Sequence, residues 1–283
     1  MPFADLPGVR MFYSDDGPAA APRPLLLVHG WGADSHEWVQ HLPGLAAGNR
    51  ILAPDLRGHG YSGVPDQGNT PRAMAADLAA LLDRARTGPV AAVGHSMGGQ
   101  VVGHLALERP DLVGAVVTVD PAYGYGRGLA PAFTRMAEEL RGPDPIAAAL
   151  ALDAWDYTDD TPPWIRAWHT RRLLAARPHV LAESFAAMFA EPGAVGVRPA
   201  SDAFVGRRRQ PTLSFWSDAG RADWERAVLA HPRSRSVHRP GTGHRLHEEH
   251  PGDFVRDLLH WLGAPAPGPA TAGPERPRPA PDL

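Results

Sequence analysis

The 283-residue chain contains no cysteine and no lysine, so all 28 of its basic residues other than histidine are arginine. Without cysteine, disulfides, thiolate metal sites, lipidation at cysteine and a cysteine nucleophile are excluded. Without lysine there is no Schiff base to pyridoxal or to a carbonyl substrate, and no phosphate-binding lysine of a P-loop. No stretch approaches the ~18 apolar residues of a membrane span, and MPFADLPGVRMFYSDDG lacks the charged start and apolar centre of a signal peptide. A cytoplasmic location away from membranes is therefore expected. The formal charge of -3 offers no broad basic field for nucleic acid, and the short run Arg207-Arg208-Arg209 reads as a solvated loop.

What is present is an apolar fraction of 43%, enough for a substantial core. Short, nearly continuous apolar runs recur at Leu25–Val28, Ile51–Ala53, Val90–Val93, Ala115–Val119 and Thr212–Trp216, and a further strand is read at Ser234–His238. Runs of this kind suit strands buried on both faces of a parallel sheet. Helical patterns lie between them. In Thr70–Arg86, Thr70 can cap, Pro71 suits the first helical position, and Met74, Leu78, Leu81 and Leu82 form one stripe. Alternating strands and helices predict an α/β fold, a doubly wound and mostly parallel sheet covered on both faces.

The alternation stops after Asp120. Residues 121–205 read as helices (Pro131–Leu140, Pro145–Trp155, Pro162–Ala176 and His179–Ala190) and form an expected cap inserted into a core domain of residues 1–120 and 206–263. A closing helix is expected near Asp253–Leu262. Residues 264–283, rich in proline and poor in large apolar side chains, read as a disordered tail.

The strongest chemical signal is Gly94-His95-Ser96-Met97-Gly98, a G-x-S-x-G that follows an apolar strand and opens a helical stretch. A serine on so tight a strand-to-helix turn projects its hydroxyl at the carboxyl edge of the sheet, where open α/β sheets place ligands. Upstream, His29-Gly30-Trp31-Gly32 also follows a strand. The backbone N–H groups of Met97 and Trp31 are the candidate donors to a tetrahedral oxyanion. Downstream, His244 lies in Gly241-Thr242-Gly243-His244, where a neutral imidazole on a glycine-flanked loop can take the serine proton and return it to the leaving group. Its rival among 14 histidines, His247, sits where the last helices begin and reads as a cap or a solvent-facing side chain.

In order and spacing these segments resemble the α/β-hydrolase superfamily across nearly all of Phe3–Leu262. The resemblance implies an eight-stranded sheet with a helical cap after the sixth strand, and a structural role for Asp55-Leu56-Arg57-Gly58-His59-Gly60-Tyr61-Ser62. It leaves the triad acid open. The family's usual acid follows the seventh strand in a pattern like W-G-x-x-D, whereas Trp216-Ser217-Asp218-Ala219-Gly220 has glycine at that place. Asp218 can substitute from two positions earlier. Asp120, at the end of Ala115–Val119, is preferred, as in superfamily lactonases and dehalogenases that draw their acid from that strand.

Tyr123, Trp155, Trp164 and Trp168 are the expected substrate-binding residues, with Phe185, Met188, Phe189 and Tyr125 also available for an apolar pocket above Ser96. The expected activity is hydrolysis of a carboxylic ester or lactone of a small to medium hydrophobic molecule through an acyl-serine, without metal or organic cofactor. Thioester release, carbon–carbon hydrolysis and acyl cyclisation use the same triad, and a non-catalytic binding protein on the same fold is the reading from another class.

Overall fold

A computed structural model describes residues 2–263; the stretch 264–283, read above as a tail, lies outside the described residues. Each apolar run forms a strand: β3 (Leu25–Val28), β4 (Ile51–Pro54), β5 (Val90–His95), β6 (Val113–Val119) and β7 (Thr212–Trp216). Two strands precede them, β1 (Phe3–Leu6) and β2 (Val9–Asp16), and β8 (Arg235–His238) follows them. The sheet order is β1-β2-β4-β3-β5-β6-β7-β8. Pairings from β4 through β8 are parallel, and those of β1 with β2 and β2 with β4 are antiparallel.

Successive residues of a strand face opposite sides of a sheet, so one run of apolar side chains builds two cores. Leu26, Val28, Leu52 and Ala92 pack on one side with α2 (Pro71–Ala85) and α3 (Met97–Glu108). Leu25, Leu27, Ile51 and Val93 pack on the other with α1 (Leu42–Leu45) and α11 (Pro251–Leu262). In α2, Thr70 Oγ1 accepts the Ala73 N–H and Met74, Leu78, Leu81 and Leu82 are buried. Each such leucine contributes roughly 1.5–3 kcal/mol relative to exposure.

Between β6 and β7 the chain runs through α4 (Ala130–Glu139), α5 (Pro145–Asp153), α6 (Pro163–Ala175), α7 (Pro178–Phe189) and α8 (Ala200–Gly206). The predicted helix Pro145–Trp155 is shorter, because Ala154–Asp156 tightens into a 3-10 turn. Helices α9 (Ala219–Val228) and α10 (Leu246–Glu249) follow β7 and β8. In the arginine run Arg207 and Arg209 are exposed, as expected of a solvated loop, and Arg208 is not. Arg208 is fully buried, where Nη2 donates to Glu225 Oε1 and Tyr123 Oη at 3.1 Å each. A carboxylate and a phenol deep in the fold supply the partners that allow this guanidinium to leave water.

Candidate active site

Ser96 sits between the last residue of β5 and the first of α3, with φ 50° and ψ -114°. A non-glycine residue in that region is strained, and here the neighbouring glycines make it attainable. A Cβ on Gly94 would strike the Gly98 carbonyl, and one on Gly98 would strike the Val28 carbonyl at the end of β3. The elbow is thereby pressed against the upstream turn. A Cβ on Gly30 would lie 2.8 Å from His95 Nδ1 and 3.4 Å from Ser96 Cβ, so the Gly30-Trp31 turn adjoins the serine. Met97 opens α3, and its N–H is among the helix's first donors, which have no partner one turn back.

His244 Nδ1 donates to Asp120 Oδ2 at 2.6 Å. Asp120 directly follows β6 with φ 37° and is 1% exposed. Its Oδ1 accepts Ser217 N–H and Ser217 Oγ–H at 3.0 Å each, and Arg221 Nη2 lies 3.3 Å from both oxygens. Burial alone would raise the Asp120 carboxyl, but Arg221 and His244 outweigh it and hold the group well below the usual carboxylate range. Burial pulls His244 down; the charges of Asp156 and Asp120 and the Asp120 hydrogen bond reverse this, so its pKa stands above 6.5. With Nδ1 committed as a donor, the other ring nitrogen of neutral His244 is free to accept a proton.

Asp218 is placed differently. Its carboxylate accepts the Arg221 N–H at 2.6 Å and caps α9, half exposed to solvent. His247 is neither a cap nor solvent-facing: it is fully buried, with Nε2 3.3 Å from Glu37 Oε1 and its ring stacked on His41. Helix α10 packs inward over the 3-10 turn Ser35–Trp38, which is why a residue at a helix start is enclosed.

Ser96 and His244 line a cavity of ≈ 340 Å³ whose walls include Trp31, Tyr125, Phe133, Phe185 and Phe189, with Asp153, Asp156 and Arg245 as its charged edge. Trp155 reaches this cavity from the rim, 87% exposed. Three expected pocket residues do not line it. Tyr123 turns inward, fully buried, and donates to Glu225 at 2.9 Å. Trp164 and Trp168 line a separate groove with His36 and Val39, because α6 buries the stripe Ile165, His169 and Leu173 and leaves the tryptophans on the adjacent face. The Trp31 indole N–H donates to the Leu181 carbonyl and Ser184 Oγ of α7, 3.1 Å each, tying the turn to the helices above it.

Arg221, Arg245, Asp153 and Asp156 lie at this site although no motif marks them. Arg245 Nη2 donates to Asp153 Oδ1 at 2.7 Å and Asp156 Oδ2 at 3.2 Å, while the Asp156 carbonyl accepts the His244 N–H at 2.9 Å. The segment after α5 is therefore clasped to the His244 loop. Adjacency of Arg245 to His244 was the available signal; its partners, about ninety residues away, had none. Among the described residues, Glu37, His95 and His247 bring donor atoms within 4.8 Å of one another, the grouping able to hold a metal ion.

A model of the alpha/beta hydrolase family matches residues 25–258. Similar curated proteins include a component of the acetoin cleaving system of Cupriavidus necator, named a dihydrolipoyllysine-residue acetyltransferase: 35% identity over 155 residues, covering 54% of this chain and 41% of that one. They also include the lipase LipV of Mycobacterium tuberculosis, 38% identical over 170 residues, 58% of this chain and 60% of the other. The matches thus span roughly half the length of these relatives. Among solved structures, a thermophilic esterase of Thermogutta terrifontis superposes with a TM-score of 0.77 at 26% identity, covering 93% of this chain and 96% of that chain.

Proposed function

We propose that this chain, a member of the alpha/beta hydrolase family, is a hydrolase that cleaves a carboxylic ester or lactone through an acyl-serine. Ser96 Oγ attacks the carbonyl carbon. His244 takes the serine proton as the C–O bond to the enzyme forms, then returns it to the leaving alcohol as the tetrahedral intermediate collapses. Water, deprotonated by the same imidazole, releases the acid and regenerates Ser96. Asp120 fixes the His244 tautomer and balances the imidazolium, and the N–H groups of Trp31 and Met97 receive the oxyanion.

The observation that carries this reading is the 2.6 Å bond from His244 Nδ1 to a buried, ionised Asp120, beside a serine held at φ 50°. Aromatic walls around ≈ 340 Å³ favour a hydrophobic substrate of modest size. Labelling with a fluorophosphonate, followed by mapping of the modified peptide, tests it. Adduct on Ser96, abolished in Ser96→Ala, is expected, together with turnover within a panel of activated esters and lactones. An unlabelled chain without turnover on the panel would falsify the mechanism.

The pH profile supplies a second test. Only neutral His244 accepts the serine proton, and its pKa is raised, so kcat/KM should fall as pH drops through a value above 6.5. The Asp156 charge is the largest favourable influence holding that value up. Removing it in Asp156→Asn weakens the protonated form and should move the acid limb to lower pH. An unmoved limb would mean that the group titrating there is not His244, or that Asp156 does not act on it.

A further inference from the structure

Beneath the elbow one buried carboxylate touches the ends of three separate elements. Glu37 lies in the 3-10 turn Ser35–Trp38 and is 2% exposed. Its Oε2 accepts the Gly30 N–H at 3.1 Å, in the turn that carries Trp31. Its Oε1 lies 3.1 Å from His95 Nδ1, in the residue before Ser96, and 3.3 Å from His247 Nε2, three residues after His244. His247 is held in turn, since its backbone carbonyl accepts from His41 Nε2 at 2.9 Å. The β3–β5 ladder stops at the pair Val28 and Gly94, short of Gly30 and His95, and it does not reach His247 in α10.

His95 also joins the elbow to the loop of the base. His95 Nε2 lies 3.1 Å from the His244 carbonyl, which can only accept, so that nitrogen bears hydrogen. His95 Nδ1 lies 3.1 Å from Glu37 Oε1, an ion-pair contact without hydrogen-bond alignment. Burial pulls His95 toward its neutral form, while the histidines hold Glu37 well below the usual carboxylate range despite its own burial. The loop bearing the base is thus hydrogen-bonded to the elbow through His95, and Glu37 touches the elbow, that loop and the oxyanion turn.

We propose that Glu37 is a positioning residue for catalysis: a single carboxylate that sets the Gly30-Trp31 turn, the elbow at His95 and the His244 loop in register with one another. The role rests on the acyl-serine reading above. It acts on the transition state and not on substrate affinity, because Glu37 does not line the substrate cavity. Glu37→Leu keeps an apolar shape but leaves the Gly30 N–H and both imidazoles without their partner. Its kcat should fall by about 10² fold with KM within about threefold, the scale of a misplacement near 1 Å. Glu37→Gln retains an oxygen for Gly30 and should recover to within about tenfold of the parent.

His247→Gln, which removes one arm of the cluster, decides the matter where Glu37→Leu does not fold, and should lower kcat with KM unchanged. Folded fraction is measured by thermal melting alongside each kinetic assay, and fluorophosphonate labelling is run on parent and variants. Parent labelled at Ser96 with every folded variant retaining kcat within about threefold would overturn the role of Glu37 and leave the serine mechanism standing. A parent unlabelled at Ser96 overturns both. A rate loss that merely tracks unfolded protein, or the failure of all three variants to fold, assigns the cluster to stability alone and overturns the proposal as well.

Discussion

Replacing Ser96 by alanine should lower kcat by on the order of 10⁶ fold while the protein stays folded, because nucleophile and base work as one unit. Alanine removes only the Oγ. The backbone strain at φ 50° remains, as do the close glycine contacts, so the melting temperature should hold or rise slightly. His244→Ala should cost about as much, and the double variant hardly more than either one, since removing one partner already idles the other. KM should change little in each, because the aromatic walls of the cavity are untouched. The decisive measurement is saturation kinetics on one activated ester, with active-site titration to exclude trace parent enzyme. Ser96→Ala activity within about tenfold of the parent would remove the serine from the mechanism, whatever the geometry around it.

What could be read before the structure follows from how local the causes are. Strands β3 to β7 were legible because a strand covered on both faces must be apolar at nearly every residue, and five runs were. The hairpin β1–β2 escaped because it lies at the sheet edge, where VRMFYSDD buries only part of its length. Ser96 and His244 stood out for the glycines beside them, and the close approach of backbone around Gly94 and Gly98 is a local demand that sequence records. Aromatic type carried no such address. Phe185 and Phe189 of α7 face the cavity while Tyr123, only three residues past Asp120, turns to Glu225 and Arg208, and nothing in the residue itself chooses between them.

The charged partners were the least legible part. Arg221 reaches Asp120 from α9, Glu37 reaches His247 from 210 residues away, and Arg245 spans 92 residues to Asp153. A buried ion pair needs both members brought together by the fold, so neither sequence neighbourhood contains the signal. These pairs are concentrated where the Asp120, Glu37 and His244 loops meet, at the end of the sheet that the helices between β6 and β7 cover. Tertiary contacts, not local propensity, set the placement of His244 relative to Ser96.

The choice of acid is the last and sharpest consequence. Asp120→Asn keeps the size of the side chain but removes the charge that fixes the His244 tautomer and offsets the imidazolium formed in the transition state. Loss of kcat by about 10³ to 10⁴ fold is therefore expected, with KM little changed. The asparagine also leaves the partly buried Arg221 without the Asp120 carboxylate, so some loss of stability should accompany the loss of rate. Asp218→Asn should cost less than about tenfold in kcat, since that carboxylate caps α9 and faces solvent. An asparagine still accepts the Arg221 N–H, so even the cap survives. Both variants are to be compared with the parent on the same ester at saturating substrate, after thermal melting has shown each to be folded. The reverse ranking would transfer the acid to Asp218 and require the His244 loop to rearrange in solution. Equal and small losses would leave His244 without an acid from either position and make Asp223 the next carboxylate to replace, although its own bond at 2.6 Å is to Arg226 on the outer face of α9.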